Sequence, residues 1–228
     1  MNLLNIIKAL FDQPNGQITS GDDAYVAKHM AEIYVDAEAL TKQYGTDFYS
    51  FLYQPNVESF IRREIIPFKY PGSKNIHFLD HDHWLQKHPF NFPGPFYTGE
   101  TDTCGTGDGA APDNVLYDAY TCEYIFKQPQ TFAEFLRVLD AAAIEVLDSY
   151  SSNGNHHWTY EKCKAWWRDR TQLLNELAKS DVRKVNGERI RLYIDYLNGN
   201  AELDLRQYCY FLENGSFPAK DVSSLPML

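Results

Sequence analysis

The strongest fold signal in this sequence is a capping box at Thr131 to Glu134, which begins a long apolar helical stripe. A threonine N-cap and a glutamate three residues later satisfy exposed backbone amides reciprocally, so the pair marks the start of a helix. Apolar residues then recur at helical spacing, which predicts a core-facing helix over 131–148. The stripe comprises Phe132, Phe135, Leu136, Leu139, Ala143, Val146 and Leu147.

Three other segments share this helical spacing of apolar residues. The predicted helices cover residues 20–44, 159–179 and 201–213. Ser20 and Thr159 stand at N-cap positions, where a side-chain oxygen accepts hydrogen bonds from backbone amides. A shorter stripe over residues 3–11 predicts an N-terminal helix, and the tail after Gly215 is expected to be loosely held.

Strand signals are interspersed with these helices. Residues 115–126 are dense in Tyr, Val, Ile and Phe, which predicts a strand. Asn186-Gly187 lies between apolar residues that alternate with polar ones, which predicts a β-hairpin over 182–196. The sequence therefore predicts a single α+β domain over 1–228, in which an antiparallel sheet packs against several amphipathic helices.

The charge of the chain is negative and unevenly distributed. The formal net charge is −10, and no lysine or arginine lies between Lys87 and Lys127. A field of one sign repels nucleic acid and anionic membranes and attracts cations or basic proteins. We therefore expect a basic protein partner, with no nucleic acid and no membrane partner; the sequence leaves the oligomeric state open.

The cysteines and the chain start indicate a cytoplasmic protein with reduced thiols. None of the cysteines forms the close pairs that are typical of zinc sites, and four in a chain of this size do not make a disulfide scaffold. The apolar N-terminus lacks a basic region and a small-residue cleavage site, and no segment has the length of a membrane span.

Residues 70–114 form a long region rich in proline, glycine and aromatic residues without a sustained period. Its last part, residues 99–114, is here named the acidic loop. We expect an ordered surface loop whose carboxylates stand in solvent, because long ordered loops with polar groups often carry function. The candidate binding residues are Glu100, Asp102, Cys104, Asp108 and Asp113, with Tyr97, Tyr117 and Tyr120 as aromatic contacts.

Other uses of the acidic loop fit its residues less well. A calcium loop would place an oxygen ligand where Cys104 stands, and a phosphate cradle would not be surrounded by carboxylates. Cys104 as a nucleophile would need a lowered pKa, whereas its acidic neighbours disfavour the thiolate. We therefore expect a buried structural thiol rather than a nucleophile at this cysteine.

A second candidate site is the segment that contains His77, His81 and His83. These imidazoles project to one side of an extended chain and, with Glu100 or Asp102, could hold zinc or another transition metal that activates water. The same residues also fit a solvated polar loop, and without this metal the sequence implies no cofactor.

Four segments carry a resemblance that covers roughly the middle half of the chain: "FPGPFYTGETDTCGTG", "APDNVLYDAY", "FKQP" and "NHHWTYEKCKAWW". They resemble uncharacterised bacterial cytosolic proteins of the polymorphic-toxin immunity type. Such proteins share no fold, so the resemblance implies no catalytic residue. It implies a partner, a toxin domain that is often a basic nuclease, whose site an acidic surface occludes.

Two functional hypotheses follow from these features. The first is an acidic cytoplasmic binding protein, an immunity protein that neutralises a basic toxin domain by occluding it, with no catalytic residues. The second is a metal-dependent hydrolase that uses the cluster of histidines and carboxylates.

Overall fold

The computed structural model describes residues 20–72, 78–79, 81–219, 222 and 224–228, with the backbone alone for residues 20–27. It confirms an α+β fold in which helices surround two small antiparallel sheets. The helix predicted over residues 3–11 lies outside the described residues. Within the described part of the chain, no helix combines the length and apolar character that crossing a membrane requires.

The α-helices account for most of the described secondary structure. They are α1 Ser20–Tyr44, α2 Phe48–Leu52, α3 Val57–Phe60, α4 Ile66–Lys69, α5 Gly107–Ala110, α6 Phe132–Ile144, α7 Gly154–His157, α8 Tyr160–Arg168, α9 Arg170–Leu177, α10 Ser180–Asn186, α11 Ile190–Asn198 and α12 Ala201–Asn214. A π-helical turn, Ile61–Ile65, joins α3 to α4. Short 3₁₀ turns lie at Trp84–Gln86 and Gly187–Arg189.

Each of the two sheets has two antiparallel strands. Strand β1, Tyr97–Thr98, pairs with β4, Tyr150–Ser151. Strand β2, Val115–Tyr117, pairs with β3, Glu123–Ile125, in a register that places Val115 opposite Ile125. The single strand predicted over 115–126 is therefore a short hairpin whose turn spans residues 118–122.

Both predicted threonine caps are confirmed. The Thr131 side chain accepts a hydrogen bond from the Glu134 amide at 3.1 Å, and Thr159 does the same for the Lys162 amide at 3.2 Å. These bonds satisfy amides that have no partner inside the helix. The segment predicted as one helix over 159–179 consists of α8 and α9, which meet at Asp169.

Helix α6 runs through the core and ends earlier than its apolar stripe predicts. Phe132 and Phe135 contact the rings of Phe48 and Phe51, with ring centroids between 4.8 and 6.1 Å apart. The helix ends at Ile144 because the backbone at Glu145 is extended. The last two residues of the predicted stripe, Val146 and Leu147, therefore lie outside the helix and are exposed.

The hairpin predicted over 182–196 is wrong, because the segment is helical. The chain does turn at Gly187, where φ is 56°, but α10 and α11 flank the turn. The buried residues of α11 are Ile190, Tyr193 and Leu197, at helical spacing. Leu192, which the alternating pattern would have buried, is 45% exposed.

Two buried side-chain amides hold the aromatic segment that precedes the acidic loop. Asn91 Nδ2 donates to the carbonyl of Thr98 at 2.8 Å, and its Oδ1 accepts from the Ile125 amide at 2.9 Å. Gln128 Nε2 donates to the Phe96 carbonyl at 2.7 Å. Because buried polar groups without partners are costly, these bonds fix an otherwise irregular backbone.

The described part of the C-terminal tail packs against the helices, contrary to the prediction of a loosely held tail. The Phe217 ring stacks on Tyr49 and Tyr53, with centroid distances of 4.9 and 5.0 Å. Arg206 on α12 donates to the carbonyls of Leu225 and Pro226. The tail thus covers apolar surface of α2 and the loop after it.

Candidate functional site

The acidic loop is ordered because a buried carboxylate lies beneath it. Glu123 on β3 accepts a hydrogen bond from the Gly107 amide at 2.7 Å and another from the Tyr150 hydroxyl at 2.6 Å. Burial of this side chain raises the pKa of Glu123 to about 7. The acid is therefore partly protonated near neutral pH, which lowers the cost of burying it.

Glu145 and Asp102 hold the first part of the acidic loop in the same way. Glu145 Oε1 accepts from the Asp102 amide at 2.9 Å, and burial raises the pKa of Glu145. The Asp102 carboxylate in turn accepts from the amides of Cys104, at 2.7 Å, and Val146, at 3.2 Å. The prediction that Asp102 stands free in solvent is therefore wrong, because this carboxylate satisfies backbone amides.

The acidic side chains at the other end of the loop are paired with arginines. Asp108 forms an ion pair with Arg189 and accepts a hydrogen bond from the Tyr117 hydroxyl at 2.7 Å. Asp113 lies 3.2 Å from Arg137 on α6. The expectation that these carboxylates stand in solvent is confirmed for the exposed Asp113, whereas Asp108 is half-buried. Both are paired with cations, one from α6 and one from the 3₁₀ turn Gly187–Arg189.

Two of the three predicted aromatic contacts are buried. Tyr97 is fully buried and its hydroxyl donates to Asn153 Oδ1 at 2.7 Å, while Tyr117 packs beneath the acidic loop. Neither ring is available to a partner in this structure. Tyr120, by contrast, is 79% exposed in the turn between β2 and β3.

Two neighbouring segments contact the acidic loop at its first half. In the β2–β3 turn, Thr121 Oγ1 donates to the carbonyl of Thr103 at 3.1 Å. In the segment between α6 and β4, the Ser149 hydroxyl donates to the carbonyl of Glu100 at 2.5 Å. Three separate parts of the chain therefore meet on one surface.

We name this surface the docking face. It consists of Glu100, Tyr120, Val146, Leu147 and Asp148. Tyr120, Val146 and Leu147 are 79%, 66% and 59% exposed, and Glu100 is also exposed. Apolar side chains that are exposed on neighbouring loops and rimmed by charge are typical of interaction surfaces.

The backbone of the docking face is constrained at two residues in the left-handed region. Thr121 has φ of 67° and Asp148 has φ of 53°, values that residues other than glycine seldom adopt. Asp118 Oδ1 holds the first turn by accepting from the amides of Tyr120 and Cys122, and His83 Nε2 lies 2.9 Å from the carbonyl of Asp148. Side-chain contacts thus support the backbone of both loops.

The docking face is negative because two segments that lack lysine and arginine meet there, and the sequence analysis identified only the first of them. Residues 88–126 contain no lysine or arginine, and neither do residues 138–161. The fold brings these two segments together through the β1–β4 pair and the contacts of the acidic loop. Among the described residues, neither Glu100 nor Asp148 forms an ion pair with a lysine or arginine.

The candidate metal ligands do not form a site within the described residues. The rings of His81 and His83 have centroids 5.9 Å apart, and His83 contacts the backbone of Asp148 instead. His77 lies outside the described residues. In the part of the chain that the structure describes, no group of three or more His, Cys, Asp or Glu side chains could hold a metal ion.

Cys104 is exposed, so the expectation of a buried structural thiol is wrong. The negative charge of Asp102 raises the pKa of this thiol. A raised pKa disfavours the thiolate that nucleophilic chemistry needs, as the acidic surroundings in the sequence predicted.

Sequence reasoning missed Val146, Leu147 and Asp148 as residues of the candidate site. Their apolar spacing assigned the first two to the buried stripe of α6, but the absence of basic residues from 138 to 161 was a usable signal. No protein-family model matches this chain, and comparisons with curated proteins and with solved structures found no match either.

Proposed function

We propose that this protein is an acidic cytoplasmic binding protein of the immunity type, which neutralises a basic toxin domain by covering it with the docking face. The observation that carries the proposal is the exposure of Tyr120, Val146 and Leu147 on loops that side-chain contacts hold, within two segments, 88–126 and 138–161, that contain no lysine or arginine.

The two kinds of side chain on this surface have different tasks in binding. Tyr120, Val146 and Leu147 supply apolar area, which contributes about 25 cal/mol for each Å² removed from water. Glu100 and Asp148 supply the negative potential that speeds encounter with a basic partner and disfavours acidic ones. Because contacts hold the loops in place, binding requires little ordering of the backbone, which favours affinity.

Co-expression with the products of the flanking genes tests this function. Each flanking reading frame is expressed from an inducible promoter in a bacterial host, with and without this protein. We expect one product to stop growth when expressed alone and this protein to restore growth. Flanking products that are all harmless, or a toxic one that this protein does not counteract, would contradict the proposal.

A matched pair of variants shows whether the rescue depends on the docking face. Tyr120→Ala with Leu147→Ala removes exposed apolar area from the face, whereas Leu192→Ala with Leu203→Ala removes it from α11 and α12. Thermal unfolding curves should show that both variants are folded. Only the first variant should lose the ability to restore growth. Equal rescue by both variants would place the interface elsewhere.

A further inference from the structure

A surface on α8 and the start of α9 is opposite in charge to the docking face. Residues 160–170 contain four basic and two acidic residues, in a chain whose net charge is −10. Positions 160, 164, 167 and 168 lie on one side of α8, because residues at these spacings share a helix face. Together with the first residue of α9 they form what we name the basic face, which consists of Tyr160, Lys164, Trp167, Arg168 and Arg170.

Cations and aromatic rings are in contact on the basic face. The Arg170 guanidinium lies 4.6 Å from the centre of the Trp167 ring, and Lys164 Nζ lies 5.4 Å from that of Tyr160. Arg170 also donates a hydrogen bond to the Leu197 carbonyl at 3.1 Å, which ties the face to α11. The face therefore presents positive charge together with aromatic area, and arginine, tryptophan and tyrosine are enriched at protein interfaces.

The cations of the basic face have no carboxylate partner in the part of the chain that the structure describes. There, Lys164, Arg168 and Arg170 form no ion pair, whereas Lys179 and Arg191, further along the chain, each pair with a glutamate. The three cations are thus free to meet carboxylates of another molecule, and such pairing of opposite charges favours association and sets its specificity.

The docking face has the complementary composition. Glu100 and Asp148 supply carboxylates that no described lysine or arginine pairs with, and Val146 and Leu147 supply exposed apolar area. Among the described residues of one molecule, no ion pair joins the docking face to the basic face. Both surfaces are therefore available to a second copy of the chain.

We propose that the docking face of one copy binds the basic face of a second copy. The cations of one molecule then meet the carboxylates of the other, while Tyr160 and Trp167 cover the exposed Val146 and Leu147. Two docking faces do not pair with each other, because this would bring like charges together. The contact therefore joins two different surfaces, which makes it heterologous.

The net charge of the chain determines the conditions under which this contact forms. Two molecules that each carry a net charge of −10 repel each other at long range. At physiological salt the Debye length is about 8 Å, so this repulsion is screened while opposite charges in contact still attract. Association should therefore be measurable at physiological salt.

Self-association occupies the surface to which the proposed function assigns a toxin domain. A toxin that is more basic than the basic face would compete with the second copy for the docking face. The inference itself depends only on the two faces, so the absence of a toxin would leave it standing, and a monomeric chain would leave the proposed function standing.

Sedimentation equilibrium of the chain alone, at physiological salt, tests the proposal. The average mass of the unmodified chain should increase with concentration above the monomer mass of 26.4 kDa. Glu100→Gln with Asp148→Asn removes the carboxylates of the docking face, and Lys164→Gln with Arg168→Gln removes two cations from the basic face. Each variant alone should remain monomeric, whereas a mixture of the two should form a complex with one molecule of each, because each supplies the face that the other lacks.

Two control variants match these variants in net charge. Glu202→Gln with Glu213→Gln, on α12, matches the docking-face variant, and Arg183→Gln with Lys184→Gln, on α10, matches the basic-face variant. Both controls should associate like the unmodified chain. Thermal unfolding curves establish that every variant is folded.

A chain that stays monomeric at every concentration would overturn the proposal, and this result does not depend on any variant. A mixture of the two folded face variants that does not associate would overturn it as well, as would controls that lose association. Binding of a single-stranded oligonucleotide by a monomeric chain, abolished in Lys164→Gln with Arg168→Gln, would assign the basic face to nucleic acid instead.

Discussion

The Glu123 carboxylate accepts a 2.7 Å hydrogen bond from the backbone amide of Gly107, and this contact fastens the acidic loop to β3. A β-carbon at Gly107 would overlap that carboxylate. The loop therefore lies close to the strand because one residue lacks a side chain and another supplies a buried acceptor.

Gly107→Ala should destabilise the protein by more than about 2 kcal/mol, because the added methyl group displaces the buried Glu123 carboxylate. Gly109→Ala is the matched control, since a β-carbon there would meet no atom within 4 Å. Denaturant unfolding measures both changes. Equal stability of the two variants would show that the loop does not depend on this close approach.

The free energy of unfolding should fall as the pH rises from 4.5 to about 7, because of Glu123. Its pKa is raised from 4.5 to about 7 in the folded chain, so in this window the folded state binds more protons than the unfolded state. The contribution of this group approaches about 3 kcal/mol at most.

Glu123→Gln resembles the protonated acid in shape and hydrogen bonding and does not titrate. Its free energy of unfolding, measured by urea denaturation across this pH window, should therefore be flatter than that of the unmodified chain. The same slope in both proteins would assign the pH dependence to other groups.

A second buried carboxylate, Asp140 on α6, should matter more for stability than exposed ion pairs do. It lies 3.1 Å from the buried Lys69 ammonium and accepts a hydrogen bond from the Tyr70 hydroxyl at 2.7 Å. Asp140→Ala leaves the lysine buried without this partner and should cost about 3–5 kcal/mol. Glu38→Ala, which removes an exposed pair with Lys42, should leave the unfolding midpoint nearly unchanged. Similar midpoints for the two variants would contradict this.

Arg189→Ala should loosen the second half of the acidic loop. This guanidinium pairs with Asp108 and donates to the carbonyls of Pro112 and Val115. Each hydrogen bond that involves a charged group contributes about 1.5–3 kcal/mol. Without these bonds the second half of the loop should open more often and become a site of limited proteolysis. Arg191→Ala removes only an exposed pair with Glu188 and should leave the loop resistant. Cleavage at the same rate in both variants would show that Arg189 does not hold the loop.

Sequence patterns correctly predicted the features that depend on residues close together in the chain. The caps at Thr131 and Thr159 were found because the accepting oxygen and the amide lie three residues apart. The error at 182–196 arose because "IRLYIDYL" fits both a strand period and a helix period over so short a length. Packing of α10 and α11 against the rest of the protein favours the helix over the strand.

The candidate site could be predicted only in part because its geometry depends on contacts between distant segments. The acidic stretch before Lys127 was visible in the sequence, but the arginines that neutralise Asp108 and Asp113 come from residues far along the chain. The exposure of Val146 and Leu147 depends on where α6 ends, and spacing alone does not give this boundary.

The proposed function depends most on the attraction between the docking face and a basic toxin domain. The most direct test is the association rate between this protein and the toxic product that co-expression identifies, measured at several salt concentrations. Glu100→Gln with Asp148→Asn removes two charges from the face, and Glu202→Gln with Glu213→Gln removes two from α12. Asparagine tolerates the left-handed backbone at position 148, so the first variant should remain folded. We predict that this variant associates about 3–10-fold more slowly at low salt and with a weaker salt dependence, while the α12 variant resembles the unmodified chain. Equal association rates for all three proteins would contradict the account.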